Sequence, residues 1–99
     1  SVAASSTYDV VSVSSNTSAA ANTTYLVDVS SAAVQITLPS PALNRFVRVK
    51  DSTGSSNTNN ITIAPNAAEN IDGAAGNVIL NSNFESRSFV SDGTNWFTF

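Results

Sequence analysis

Histidine, cysteine and methionine are all missing from this chain of 99 residues, and each of the first two absences removes chemistry. Without histidine there is no imidazole base to activate a serine, and without cysteine there is no thiolate nucleophile. The lack of cysteine also rules out a disulfide or a thiolate metal site, which leaves zinc only carboxylates to bind. Four scattered glycines cannot form a phosphate-cradling loop. Charge is scarce as well, at 11% of residues against roughly 25% in an average soluble domain. The four basic residues, Arg45, Arg48, Lys50 and Arg87, face seven acids, for a net charge of −3. Nucleic-acid binding is driven by counterion release along a basic stripe, so no nucleic-acid partner is expected. No apolar run approaches the ~18 residues of a membrane span, and no basic-then-apolar leader opens the sequence; no membrane partner is expected either. The sequence starts at Ser1 without methionine. Its pattern runs coherently from end to end, so the expectation is a complete short gene product with its initiator removed, not a fragment.

What is abundant is hydroxyl and amide: Ser, Thr and Asn make up 39 of the 99 residues. The solvated surface must be built largely from them. A chain of this length makes one domain, residues 1–99, near the lower limit for a self-sufficient hydrophobic core. Ser1–Thr7 reads as a flexible N-terminal arm. Small domains without disulfides often gain stability by oligomerising, so a partner is expected.

Helix is nearly excluded, since no segment repeats apolar residues at helical spacing and strong helix formers are few. Short alternating runs take its place: YDVVSVS (8–14), TYLVDVS (24–30), VQITL (34–38), RFVRVKD (45–51), then NITI, NVILN, SRSFVS and NWFTF. In the fourth run Phe46, Arg48 and Lys50 fall opposite Val47 and Val49. Pro39 and Pro41 stop the third run, because proline cannot donate to a ladder. Asp72-Gly73 and Asp92-Gly93 read as turns. The polar stretch 51–60 reads as a solvent-facing hairpin tip, and the low-complexity stretch 15–24 as a mobile connection. Turn signals about every 10 residues predict an all-β fold: a single small sandwich or barrel-like domain of about eight or nine short, mostly antiparallel strands. ITLPSP from Ile36 echoes ITIAPN from Ile61. Such an echo fits a β-solenoid, but two imperfect copies fit better two strands with similar exits, which is the reading adopted.

Paired carboxylates are the remaining route to catalysis, since glycoside cleavage needs two acids about 5 to 9 Å apart. The acids are Asp9, Asp28, Asp51, Glu69, Asp72, Glu85 and Asp92. Asp51, Asp72 and Asp92 each lie at a strand exit close to a glycine, where aspartate closes a turn onto backbone N–H groups. No catalytic residue, no cofactor and no metal are therefore expected. DSTGSSN offers oxygens to calcium but lacks the acidic density of a dedicated loop. Sequons at Asn16, Asn22 and Asn60 are no more than this Asn-, Ser- and Thr-rich composition yields by chance. DGTNWFTF (92–99) is a different matter. Chain ends are usually polar and frayed, yet Trp96, Phe97 and Phe99 crowd the last four positions. In a strand Trp96 and Phe97 point to opposite faces; one face fills the core and the other needs a second cover. Trp96, Phe97 and Phe99 are the candidate residues of an oligomer or partner interface.

The run ITLPSPALNRFVRVKDSTGSSNTNNITIAPNAAENIDG, followed by NVILNSNFESRSFVSDGTNWFTF, resembles a β-domain recurrent in tailed-phage virion structural proteins. Its pattern is ITLP, a strand with basic residues ending in KD-x-x-G, TNNITI, IDG and DGTNWY, and it covers residues 34–99. TNNITI and DGTNW are its most specific parts. This chain has Phe97 where tyrosine is usual, and ENIDG in place of a glycine-rich approach. The resemblance implies a non-enzymatic virion component of the head-decoration or tail-fibre type and supplies no active-site residues. Length and low charge favour a capsid decoration or cement protein on the outer head surface, clamping capsomer junctions, with the N-terminal arm docked on the shell. The alternative is a tail-fibre or tail-spike module that binds a host receptor glycan. The expected partners are further copies of the chain, a homotrimer being favoured, and the major capsid protein or another virion protein.

Overall fold

A computed structural model describes residues 8–99; the expected arm, Ser1–Thr7, lies outside the described residues. The described residues form nine strands: β1 (Asp9–Val13), β2 (Thr17–Ser18), β3 (Thr23–Val27), β4 (Val34–Thr37), β5 (Phe46–Asp51), β6 (Ile61–Ala64), β7 (Val78–Leu80), β8 (Ser86–Ser91) and β9 (Trp96–Thr98). There is no helix among the described residues. The strands make two sheets, a five-stranded one in the order β1-β3-β5-β8-β9 and a four-stranded one in the order β2-β4-β6-β7. The all-β expectation holds; of the sandwich and the barrel-like form it allowed, the two sheets are not closed into a barrel.

Alternation explains which residues lie between the sheets. β3 buries Thr23, Tyr25 and Val27, and β5 buries Val47, Val49 and Asp51, while their intervening residues face outward. From the other sheet Val34, Ile36, Ile61, Ile63 and Leu80 meet them in one apolar cluster that includes Phe89 and Trp96. The shortest extent of the molecule, 20 Å, matches two sheets about 10 Å apart with one outer layer of side chains on each.

The expected pairing was mostly antiparallel, and this is corrected. β1 with β3, β3 with β5, β2 with β4 and β4 with β6 are all parallel. Only the last third turns back on itself, through β5 with β8, β6 with β7 and β8 with β9. Up to β6 the chain alternates between sheets, so it winds as three turns of a two-sided coil. Parallel neighbours cannot be joined by a tight hairpin; here the crossing to the opposite sheet supplies the connection. The ITLPSP/ITIAPN echo belongs to adjacent turns of this coil, since β4 lies beside β6 with Ile36 opposite Ile63.

Two connections differ from expectation for the same reason. Residues 52–60 are not a hairpin tip, because they carry the chain from β5 in one sheet to β6 in the other, and Ser56 is buried within them. Residues 15–24 contain β2, the buried Ala19, and Asn22 at φ 60. Asn22 donates its backbone N–H to Phe46 O at 2.7 Å and accepts the Phe46 N–H on Oδ1 at 3.3 Å. The segment is a fixed crossing. By contrast Asp72-Gly73 is the expected turn, with positive φ at both residues and Ile71 and Ala74 exchanging backbone hydrogen bonds.

Candidate assembly surface

The acidic side chains come first, since they were the remaining candidates for chemistry. Asp51 is fully buried. Its Oδ1 accepts the N–H groups of Thr53 and Gly54 at 3.1 and 2.9 Å, and its Oδ2 those of Ser56 and Phe84 at 3.0 and 2.9 Å. Burial pushes this carboxyl up, but the N–H donors, led by Phe84 and Ser56, outweigh it and hold it well below the usual carboxylate range. Asp28, Glu69, Glu85 and Asp92 likewise accept N–H groups from residues within four positions of themselves. Backbone donors converge on the loop carboxylates. A cation at DSTGSSN would meet N–H groups around Asp51 where it needs oxygens, and no group of three or more potential metal ligands occurs among the described residues.

The KD-x-x-G element acquires a physical meaning here. Lys50 and Asp51 both grip Phe84 on the β7–β8 turn. Asp51 takes its N–H, while Lys50 donates to its carbonyl and lies 5.7 Å from its ring centre. The ring rests over Gly54, where a Cβ would come within 2.5 Å of it and the backbone has φ +72.

IDG and DGTNW are likewise joined in space. Asp92 Oδ1 closes its own turn onto Thr94 and Asn95, and Asn95 Oδ1 accepts the Asn70 N–H at 2.9 Å. The backbone then pairs Trp96 N with Asn70 O and Asp72 N with Trp96 O, both at 3.0 Å. Asp72 also accepts both the N–H and the hydroxyl of Thr98. The edge of the five-stranded sheet at β9 is therefore covered by Asn70–Asp72.

The structure divides the three C-terminal candidates. Trp96 points inward and is fully buried, its Nε1 lacking an acceptor. Phe97 and Phe99 point outward, 41% and 80% exposed. Register places them among residues that sequence reasoning did not connect. Phe97 lies opposite Val90, which lies opposite Phe46; the Phe46 ring stacks on Tyr8 with centroids 5.3 Å apart. One apolar row thus crosses the sheet. A second row holds Val10, Thr24, Arg48, Ser88 and Phe99, with the Arg48 guanidinium 4.8 Å from the Phe46 ring centre. Five of the large exposed apolar side chains, Tyr8, Val10, Val90, Phe97 and Phe99, share this one face. The outer face of the four-stranded sheet shows Gln35, Thr37, Thr62, Ala64 and Ile79, mostly polar. The two outer faces thus differ sharply in apolar exposure. The sequence trace of the apolar face was the outward alternation Phe46-Arg48-Lys50, but its width depends on strand order, which alternation does not encode.

A family model described as bacteriophage T4 gp9/10-like protein, N-terminal, matches residues 2–92. The chain belongs to that family. It is a domain of phage virion structural proteins, as its ITLP, TNNITI and DGTNW motifs implied, and its place is the virion. Proteins of the T4 gp9/10-like family are typically non-enzymatic and interact with other virion proteins. No curated protein sequence matches the chain.

Proposed function

We propose that this T4 gp9/10-like domain is an assembly module of the phage tail, docking onto sister copies or a neighbouring tail protein through the outer face of its five-stranded sheet. The observation that supports this most is the asymmetry of the two faces. Tyr8, Phe46, Val90, Phe97 and Phe99 gather on one, with Arg48 among them, while the other is mostly hydroxyl and amide. Aromatic and arginine side chains are the usual anchors of protein interfaces. In the expected trimer, three such faces would meet around a common axis. Membership of the T4 gp9/10-like family of virion structural proteins, which is tail- and baseplate-related, supports the tail reading.

Cementing of the head is the second reading. The low charge of the chain, 11% of residues, suits dense arrays of copies without mutual repulsion. Localisation in a particle reconstruction separates the two: a ring of density on the tail supports the first, and a shell-wide array the second. The docking face is tested with Phe97→Ser combined with Phe99→Ser. This variant should keep its circular dichroism spectrum and melting temperature, yet be absent from purified particles. Normal incorporation of the folded variant would overturn the assignment of the face.

A further inference from the structure

The turn between β7 and β8 is tied down by a dense set of hydrogen bonds. Glu85 Oε1 accepts the N–H groups of Asn81 and Ser82. Ser82 O accepts the Glu85 N–H at 2.9 Å and the Ser56 hydroxyl. Asn83 Oδ1 accepts the Asn57 N–H at 2.9 Å, Asp51 accepts the Phe84 N–H, and Lys50 donates to the Phe84 carbonyl. The Phe84 ring rests over Gly54, so the lysine, the aspartate and the glycine of KD-x-x-G all act on this one residue. Yet Phe84 is not core. It is 56% exposed and stands at φ 63, a conformation that a bulky side chain keeps only where its surroundings impose it. Glycine or asparagine would serve a turn that needed this backbone alone. β1 enters the sheet at Asp9, level with Val47 across β3, which is the end of β5 remote from Lys50 and Phe84.

We propose that Phe84 and Asn83 form a shallow binding site for a neutral glycan, the ring stacking on the C–H face of one pyranose while the Asn83 amide donates to a hydroxyl beside it. The electron-rich face of an aromatic ring attracts polarised C–H groups, and amides and hydroxyls match the donors and acceptors of a sugar. The surroundings fit this chemistry. The exposed residues of the two loops that meet here include Ser52, Thr53, Asn57 and Thr58 on one and Asn81, Ser82 and Asn83 on the other. With Oδ1 committed to Asn57, the Asn83 amide is fixed, and its Nδ2 has no acceptor among the described residues. Asp51 is buried, Lys50 is held by the Phe84 carbonyl, and Glu85 is occupied by backbone N–H groups and by Arg87 at 3.8 Å, so no free charge borders the ring. A protein partner would need apolar area around such an anchor, whereas Phe84 is the one large exposed apolar side chain on these two loops. A ring already held in place loses little freedom on binding. The proposal does not depend on the docking face, whose two rows leave Phe84 out.

The probes are the methyl glycosides of glucose, galactose, mannose and N-acetylglucosamine, each titrated into the full chain and followed by amide chemical shifts and saturation transfer. At least one should move the Gly54, Asn83 and Phe84 amides together and receive saturation on its ring C–H protons, while the Phe97 and Phe99 amides stay put. Two variants separate binding from folding. Phe84→Gly accepts a left-handed backbone without strain, so it should melt no lower than wild type and lose the response. Asn83→Asp keeps the acceptor for the Asn57 N–H and removes only the donor; it should melt as wild type and bind more weakly. No response to any of the four glycosides, or a response undiminished in either variant, would overturn the proposal. So would a lower melting temperature for Phe84→Gly, since the ring would then be a structural cover for Gly54. Loss of Phe84→Gly from purified particles, with wild type silent to every glycoside, would assign the ring to a protein pocket instead.

Discussion

Phe84 holds a left-handed backbone at φ 63, a conformation that costs a bulky residue about 1–3 kcal/mol. It stays there because its N–H is held by Asp51 and its carbonyl by Lys50. Asp51 is thus the residue on which the β5–β6 crossing and the β7–β8 turn both depend. In Asp51→Asn an amide NH2 would face N–H donors, leaving some of them buried and unpaired. The expected loss is about 2–4 kcal/mol, read as a fall in the denaturation midpoint. The sign of the pH effect follows from the depressed carboxyl. The stabilisation is complete above the unfolded-state value of about 4 and is lost as pH falls through the lower folded-state value. Wild type should therefore lose stability below about pH 4, and the difference between wild type and Asp51→Asn should narrow there. An unchanged difference at pH 7 and pH 2 would contradict this role.

Among the elements, β9 shows how a short strand can be indispensable. It has only three residues, yet β8 pairs with one edge and Asn70–Asp72 with the other. Trp96 fills the core from the middle of this arrangement. Deleting residues 96–99 should give insoluble or poorly folded protein, whereas the outward changes at Phe97 and Phe99 should spare the fold. A folded oligomer lacking residues 96–99 would refute that division. A finer test uses the clip itself. Asp72→Ala should speed hydrogen exchange at the Thr98 amide, which donates to Asp72 Oδ1, and leave the Phe89 amide in the neighbouring strand protected.

For the molecule as a whole, the coil has a kinetic consequence. Every parallel pairing joins residues separated by a crossing to the other sheet and back, so few contacts are local. Loop-closure entropy must be overcome before these pairs form, which places folding in the millisecond-to-second range of β-rich domains. Trp96, the single tryptophan, is a suitable fluorescent reporter because its burial requires both sheets. Stopped-flow refolding complete within microseconds would show that the non-local pairings do not limit the rate. The same architecture gives the molecule one largely apolar and one largely polar sheet face.

The sequence by itself determined most of the strands and their inward residues, though not β2, which lies in the stretch read as a mobile connection. Alternation in RFVRVKD and SRSFVS reflects a period-two geometry that any sheet imposes, and the aspartates before the loops could close onto nothing nearer than backbone N–H groups. It also determined that Trp96 and Phe97 part to opposite faces. Tertiary structure alone decided which strands are neighbours and in which direction they run. Alternation assigns a side chain to a face but is silent about the strand beside it, so parallel and antiparallel partners look the same in a single chain. The long connections 38–45 and 52–60 were the available sign that tight hairpins were absent. The aromatic face needed Tyr8, Phe46, Val90 and Phe97 to meet across four strands, and residues so distant along the chain become a surface only when the coil has brought them side by side.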